Sequence, residues 1–234
     1  MIAELRVVYE RPNNALRDGE PAQIDADGER ITVSHARFEA VIDPFARNAI
    51  IHCLESDREL ATDLTRRTAL SAILPLDGGL LLHSAGIVVD GRAIAFFGPS
   101  GAGKSTLSAL VDAPILSDEL ISIRKTGERF VVEATGVWGE LDARPPVEGS
   151  FPLAHLVALG RGEDVILDPL DPRAAARALV GATVVPPHPV LWRNAMAIVS
   201  ELAHLPTSRL RWRPSRENAR RVIRNLFPSQ AFIT

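Results

Sequence analysis

Residues 98–105 read Gly98-Pro99-Ser100-Gly101-Ala102-Gly103-Lys104-Ser105, three glycines, a lysine and two hydroxyls within eight positions, and that spacing has a definite chemistry. Glycine reaches backbone conformations closed to residues with a side chain, so Gly98, Gly101 and Gly103 let successive N–H groups turn inward around phosphate oxygens. Lys104 adds a mobile positive charge. Residues 104–111 read as a helix whose N-terminal dipole favours the same anion. Ser105 offers its hydroxyl to the magnesium ion that travels with a triphosphate, and Thr106 is a second candidate for that task. The pattern implies a site for a nucleoside triphosphate and its Mg2+.

Such a loop must be carried by a strand and followed by a helix. Residues 80–89 are apolar, Asp90-Gly91 is a two-residue hairpin signal, and 93–97 form a second strand running into the loop. The strand that carries the loop therefore has an antiparallel neighbour, unlike the simplest βαβ arrangement. A helix of about nine residues takes the chain ~13 Å away, and 113–117 return ~16 Å as a strand. Asp118 and Glu119 then come level with the phosphates.

Asp118 is the first candidate for a general base or metal-bound carboxylate, because phosphoryl transfer needs a held metal and an acceptor hydroxyl that is oriented and deprotonated. Glu119 is its partner candidate. Strict alternation sends the two side chains to opposite faces unless the strand ends between them. His83, in the strand Leu80-Leu81-Leu82-His83, pairs through the hairpin with the loop strand. It either lies beside the phosphates or is a hydrogen-bonded core residue.

Around this centre, residues 1–55 look β-rich, with apolar runs at 5–9, 31–33 and 40–42 and turns at Asp18-Gly19 and Asp27-Gly28. Ser56 with Glu59 matches a capping box for a helix over 57–74 that ends before Pro75. Beyond Glu119, residues 120–124 and 130–134 form a hairpin about Thr126-Gly127, and Trp138-Gly139-Glu140 opens a loop through Pro145-Pro146. A strand at 153–159, a helix capped by Asp171-Pro172, a helix at 190–204, a strand at 210–213 and a helix from Ser215 to Phe227 complete the chain. The division expected is a small module at 1–77 and a catalytic domain at 78–234.

The chain has 234 residues, 46% hydrophobic and 24% charged, which suits a globular protein with a packed core. A net charge of −3 speaks against a general nucleic-acid binder, which needs a basic excess. Cys53 is the single cysteine, so no intramolecular disulfide forms, and it reads as a small core residue. No apolar run reaches the ~18 residues of a membrane span and the N-terminus lacks a signal-peptide shape, so the cytoplasm is the expected compartment. Arg209, Arg211 and Arg213 alternate with Leu210 and Trp212, a solvated edge or a docking face for an acidic partner.

The segments Leu82-His83-Ser84-Ala85-Gly86, 98–105 and Ile115-Leu116-Ser117-Asp118-Glu119, with the hairpin between the first two, resemble the catalytic domain of HPr kinase/phosphorylase. They also resemble the smaller HPr-kinase-like proteins, including those associated with lasso-peptide and other peptide biosynthesis, and these are similar in core to ATP-dependent phosphoenolpyruvate carboxykinase. The resemblance runs over 78–135 and more loosely through 138–140 and 151–153. It implies an α/β P-loop kinase core with a mixed, partly antiparallel sheet beside a small β-rich N-terminal module. The implied activity is transfer of the γ-phosphoryl of ATP to a hydroxyl, serine of a protein or peptide, either an HPr-like protein or a peptide natural-product precursor.

In the resemblance Asp118 is the base, His83 lies near the phosphates, and Lys104 completes the catalytic set. Thr106 and Glu119 depart from it, standing where the family usually has Glu and a second Asp. A homo-oligomer stays open. The competing reading is a P-loop ATPase or nucleotide-dependent switch with water as the acceptor, although the short stretch from Lys104 to Ser117 leaves no room for the extra crossover such proteins carry.

Overall fold

The computed structural model describes residues 3–12, 16–141 and 147–227, so Pro145 and Pro146 of the expected loop lie outside the described residues. The chain divides into two units, Met1–Leu80 with Val184–Ala195, and Leu81–Thr183 with Met196–Thr234. The leading segment of the first unit ends at Leu80, where the sequence reading divides the chain at 77/78. Residues 184–195, which the sequence places in the second domain, instead join the first unit, where Leu191 enters the core and His188 Nε2 lies 2.8 Å from the Gly28 carbonyl oxygen.

In the first unit β1 (Glu4–Tyr9), β2 (Gln23–Asp27), β3 (Arg30–His35), β4 (Phe38–Asp43) and β5 (Asn48–Cys53) form one sheet in the order β1-β5-β4-β3-β2. Side chains alternate across it. Ile31 and Val33, Phe38, Ala40 and Ile42, and Ala49, Ile51 and Cys53 point inward against Ala61, Ala69, Ala72 and Ile73 of α1 (Arg58–Leu76). Cys53 is fully buried, and that burial pushes its thiol pKa up, as befits a core residue. The expected capping box does not form: a single 3₁₀ turn at Glu55–Asp57 leads into α1, and no side chain caps the helix. Pro75 lies inside the last turn of α1, where its missing N–H costs only one hydrogen bond before the helix stops.

The second unit is built around β6 (Gly79–Val89) and β7 (Arg92–Phe97), an antiparallel hairpin whose turn residues Asp90 and Gly91 have φ of 49° and 71°. Two positive φ angles are what a type I′ turn requires. After α2 (Lys104–Leu110), β8 (Ile115–Ser117) returns antiparallel to β6, and β9 (Leu120–Thr126) with β10 (Arg129–Ala134) makes the second hairpin. β11 (Ser150–Arg161) runs parallel to β7. The chain then adds β12 (Ile166–Pro169), α3 (Pro172–Val180), β13 (Thr183–Val184), α4 (Pro189–Leu202), β14 (Thr207–Trp212) and α5 (Arg216–Leu226).

The sheet order is β10-β9-β6-β7-β11-β14-β12, with β8 and β13 also paired to β6, so this is a mixed α/β unit with parallel and antiparallel neighbours. Ser215 and Asp171 cap α5 and α3 as their spacing predicts, accepting from the N–H of Asn218 and Ala174. Leu107 and Val111 beside α5 residues Ala219, Val222 and Ile223 pack in one cluster with Ile87, Ile94, Phe96, Val157 and Leu210. Among the described residues no helix is long and apolar enough to cross a membrane.

Candidate active site

The two-residue Asp90-Gly91 turn fixes the register of β6 against β7 that builds the site. Ser84 pairs with Phe97, the last residue before the loop, and on its other side donates its N–H to the carbonyl of Glu119 at 3.0 Å. Residue 119 and the start of the loop are therefore level, two strand spacings or about 10 Å apart.

In the loop itself Gly101 and Gly103 hold φ of 73° and 95°, left-handed values that a side chain would strain. These two residues let the chain fold back: the Ala102 N–H donates to the Pro99 carbonyl at 3.1 Å, and the Gly103 carbonyl accepts from Leu107 at 2.9 Å to start α2. Pro99, Ser100 and Gly101 are exposed, Ser105 is half-buried and Thr106 exposed. Lys104 is only 7% exposed. Its ammonium donates to the Gly98 carbonyl at 3.2 Å, tying the start of the helix to the start of the loop. Burial pushes the pKa of this lysine down, and the negative charge of Glu119 opposes the shift.

The two carboxylates are not arranged as strand alternation suggests, because β8 ends at Ser117, before either of them. Both side chains converge on Gly139. A Cβ placed on that glycine would come within 3.2 Å of Asp118 Oδ2 and 3.3 Å of Glu119 Oε2, so any side chain there would press both carboxylates aside by a few tenths of an ångström.

Asp118 is fully buried, and its carboxylate accepts three backbone bonds, from the N–H of Gly139 at 2.8 Å, Glu140 at 2.9 Å and Leu141 at 3.2 Å. Glu119 is about a third exposed, and its Oε2 lies 3.4 Å from His83 Nε2. The two carboxylates thus differ in their surroundings. Asp118, expected to be the base and a metal ligand, has its oxygens engaged by the 139–141 backbone. Glu119 is the carboxylate that stands with His83 and within the field of Lys104.

Behind the pair lies a pedestal that sequence reasoning missed. The Ser117 hydroxyl donates to the Val137 carbonyl at 2.7 Å and accepts from the N–H of Glu119 and of Leu120, each at 3.0 Å. The Thr135 hydroxyl donates to the Leu120 carbonyl at 2.6 Å and accepts from the Val137 N–H at 3.1 Å. Segments 117–120 and 135–141 are in this way locked together, which holds the Glu119 backbone in one position. The only sequence trace of it is Trp138-Gly139-Glu140, legible as a loop but not as a partner of Asp118.

Among the described residues no group of three or more His, Cys, Asp or Glu side chains is arranged to hold a metal. Ser105, whose hydroxyl is the expected magnesium contact, is half-buried in the first turn of α2. Of the C-terminal arginines, Arg209, Arg211 and Arg213 are exposed between buried Leu210 and Trp212, as the alternation predicts. Arg211 pairs with Asp168 at 2.9 Å and Arg213 with Glu163 at 3.7 Å.

No protein-family model and no curated protein matches the chain. Among solved structures it is similar to the Hpr(Ser) kinase/phosphatase from Coxiella burnetii, at 12% identity and a TM-score of 0.39, over 62% of this chain and 94% of that one. A likeness of this size leaves the functional reading to the residues themselves.

Proposed function

We propose that the chain is an ATP- and Mg2+-dependent kinase that transfers the γ-phosphoryl group to a hydroxyl, serine of a protein or peptide. The observation that carries this reading is the placing of Glu119, beside His83 and in the field of Lys104, level with a glycine-rich loop at the end of β7. On this reading residues 98–105 are a P-loop. Its amides and the Lys104 ammonium stabilise the negative charge that develops on the transferring group. Ser105 would hold Mg2+, which when bound neutralises charge on the phosphate oxygens.

Glu119 takes the proton of the acceptor hydroxyl as the new oxygen–phosphorus bond forms and the bond from the γ-phosphorus to the bridging oxygen breaks, leaving ADP. His83 fixes the carboxylate's orientation, and Asp118 positions the backbone on which the pair rests. The serine acceptor follows the resemblance of the 82–86, 98–105 and 115–119 segments to HPr-kinase-like proteins.

Incubation with γ-labelled ATP, Mg2+ and serine-containing peptides or an HPr-like protein tests the proposal. Label is expected on the acceptor, in the wild type and not in Glu119→Gln. Label recovered solely as inorganic phosphate defeats the kinase reading in favour of an ATPase.

The lysine gives a pH signature. A lowered pKa means that Lys104 loses its charge at a lower pH than an ordinary lysine, so affinity for a non-hydrolysable ATP analogue is expected to begin falling on the acid side of the usual lysine range. Calorimetric titration across the alkaline range, compared with Lys104→Ala, checks it. A wild-type profile as flat as that of the variant would contradict a Lys104 contact with the phosphates.

A further inference from the structure

β11 runs parallel to β7 with Ala158 opposite Phe97, so its last three residues continue about 10 Å past the level at which the loop begins. The third of them is Arg161. Its guanidinium Nη2 reaches the Gly101 carbonyl at 3.4 Å, at the exposed apex of the loop. Arg211 and Arg213, on the strand beyond, are tied to Asp168 and Glu163, whereas Arg161 forms no ion pair among the described residues. The guanidinium is exposed to solvent, and the long bond to the neutral Gly101 carbonyl is its hydrogen bond among the described residues.

Position decides what such a cation can meet. In the sheet β11 flanks β7 on one side, and β6, which carries His83 and is bonded through the Ser84 N–H to the Glu119 carbonyl, flanks it on the other. If the reacting phosphate lies toward Glu119, the rest of the nucleotide extends toward Arg161. We propose that Arg161 is a nucleotide-binding residue that contacts the non-transferring phosphates, those shared by ADP and ATP, with its planar fork of donors. The inference rests on the P-loop reading of residues 98–105. Guanidinium suits the task because it stays charged and offers paired N–H donors to phosphate oxygens.

Direct binding of ADP and of a non-hydrolysable ATP analogue to the full chain tests it. Loss of one charge-assisted contact is expected to raise the dissociation constant of both nucleotides about tenfold in Arg161→Ala, with adenosine affinity unchanged. Arg161→Gln removes the charge and leaves an amide N–H donor on a shorter stem. It is expected to lose as much as Arg161→Ala, while Arg161→Lys recovers part.

Wild-type affinity in Arg161→Gln would mean that the side chain only tethers the loop, and the proposal falls. It falls equally if Arg161→Ala binds ADP as the wild type does, or if the loss is confined to the triphosphate. Lys104→Ala separates this from the larger reading: if that variant binds ADP normally, the loop is not the anion site. If it binds poorly while the Arg161 variants bind normally, only the role of Arg161 is lost.

Discussion

Glu119→Gln is expected to lower the turnover of phosphoryl transfer by about 10²- to 10⁴-fold, the usual worth of a positioned general base. Nucleotide affinity and thermal midpoint should stay near wild type. Glutamine has the same length and can still face His83, but it cannot accept the acceptor hydroxyl's proton. The side chain is about a third exposed, so the substitution leaves no buried group unpaired. A shorter carboxylate in Glu119→Asp should restore part of the rate, because the base is present but farther from the acceptor. Single-turnover transfer from labelled ATP, beside direct nucleotide binding, separates chemistry from affinity. Full turnover in Glu119→Gln removes this residue from the reaction.

That Glu119 rather than Asp118 is the carboxylate left facing His83 could not be read from the chain, and the reason is distance along it. The loop, the Asp90-Gly91 turn and the return of β8 are local consequences of glycine spacing, turn chemistry and matched element lengths, and they bring residues 118 and 119 to the correct level. The capping of α3 by Asp171 and of α5 by Ser215 is equally local. The choice between two adjacent carboxylates belongs to backbone amides 21 to 23 positions further on, which a local pattern does not encode. Alternation failed because it assumes a strand, and the strand stops at Ser117.

The same limit hid Arg161, whose neighbour Gly101 is 60 positions away and reached only through the parallel pairing of β7 with β11. It also hid the return of residues 184–195 to the first unit, fixed by Leu191 and by the His188 contact with Gly28. β5 escaped notice for a different reason. Ile50 is exposed between buried Ala49 and Ile51, which blurs the alternation that marks a half-buried strand.

Asp118→Asn should separate scaffold from chemistry in the opposite sense to Glu119→Gln. The buried carboxylate presents only acceptors, Oδ1 to Gly139 and Oδ2 to Glu140 and Leu141. An asparagine must turn its NH2 toward one of these oxygen positions. In the better orientation it keeps two bonds and faces the Gly139 N–H with another donor, while the charge that strengthens all three is gone. A lost charge-assisted bond and a buried donor without an acceptor together cost about 3 kcal/mol. For a domain of this size that lowers the thermal midpoint by roughly 10 °C.

Local opening should accompany it, read as faster hydrogen exchange at the amides of 139–141 than in the wild type. Measured well below its own midpoint, Asp118→Asn should retain far more transfer activity than Glu119→Gln, because the base is intact and only its support is loosened. An Asp118→Asn protein with an unchanged midpoint and unchanged exchange at those amides, but with its turnover abolished, would return the base to Asp118 and make Glu119 its neighbour.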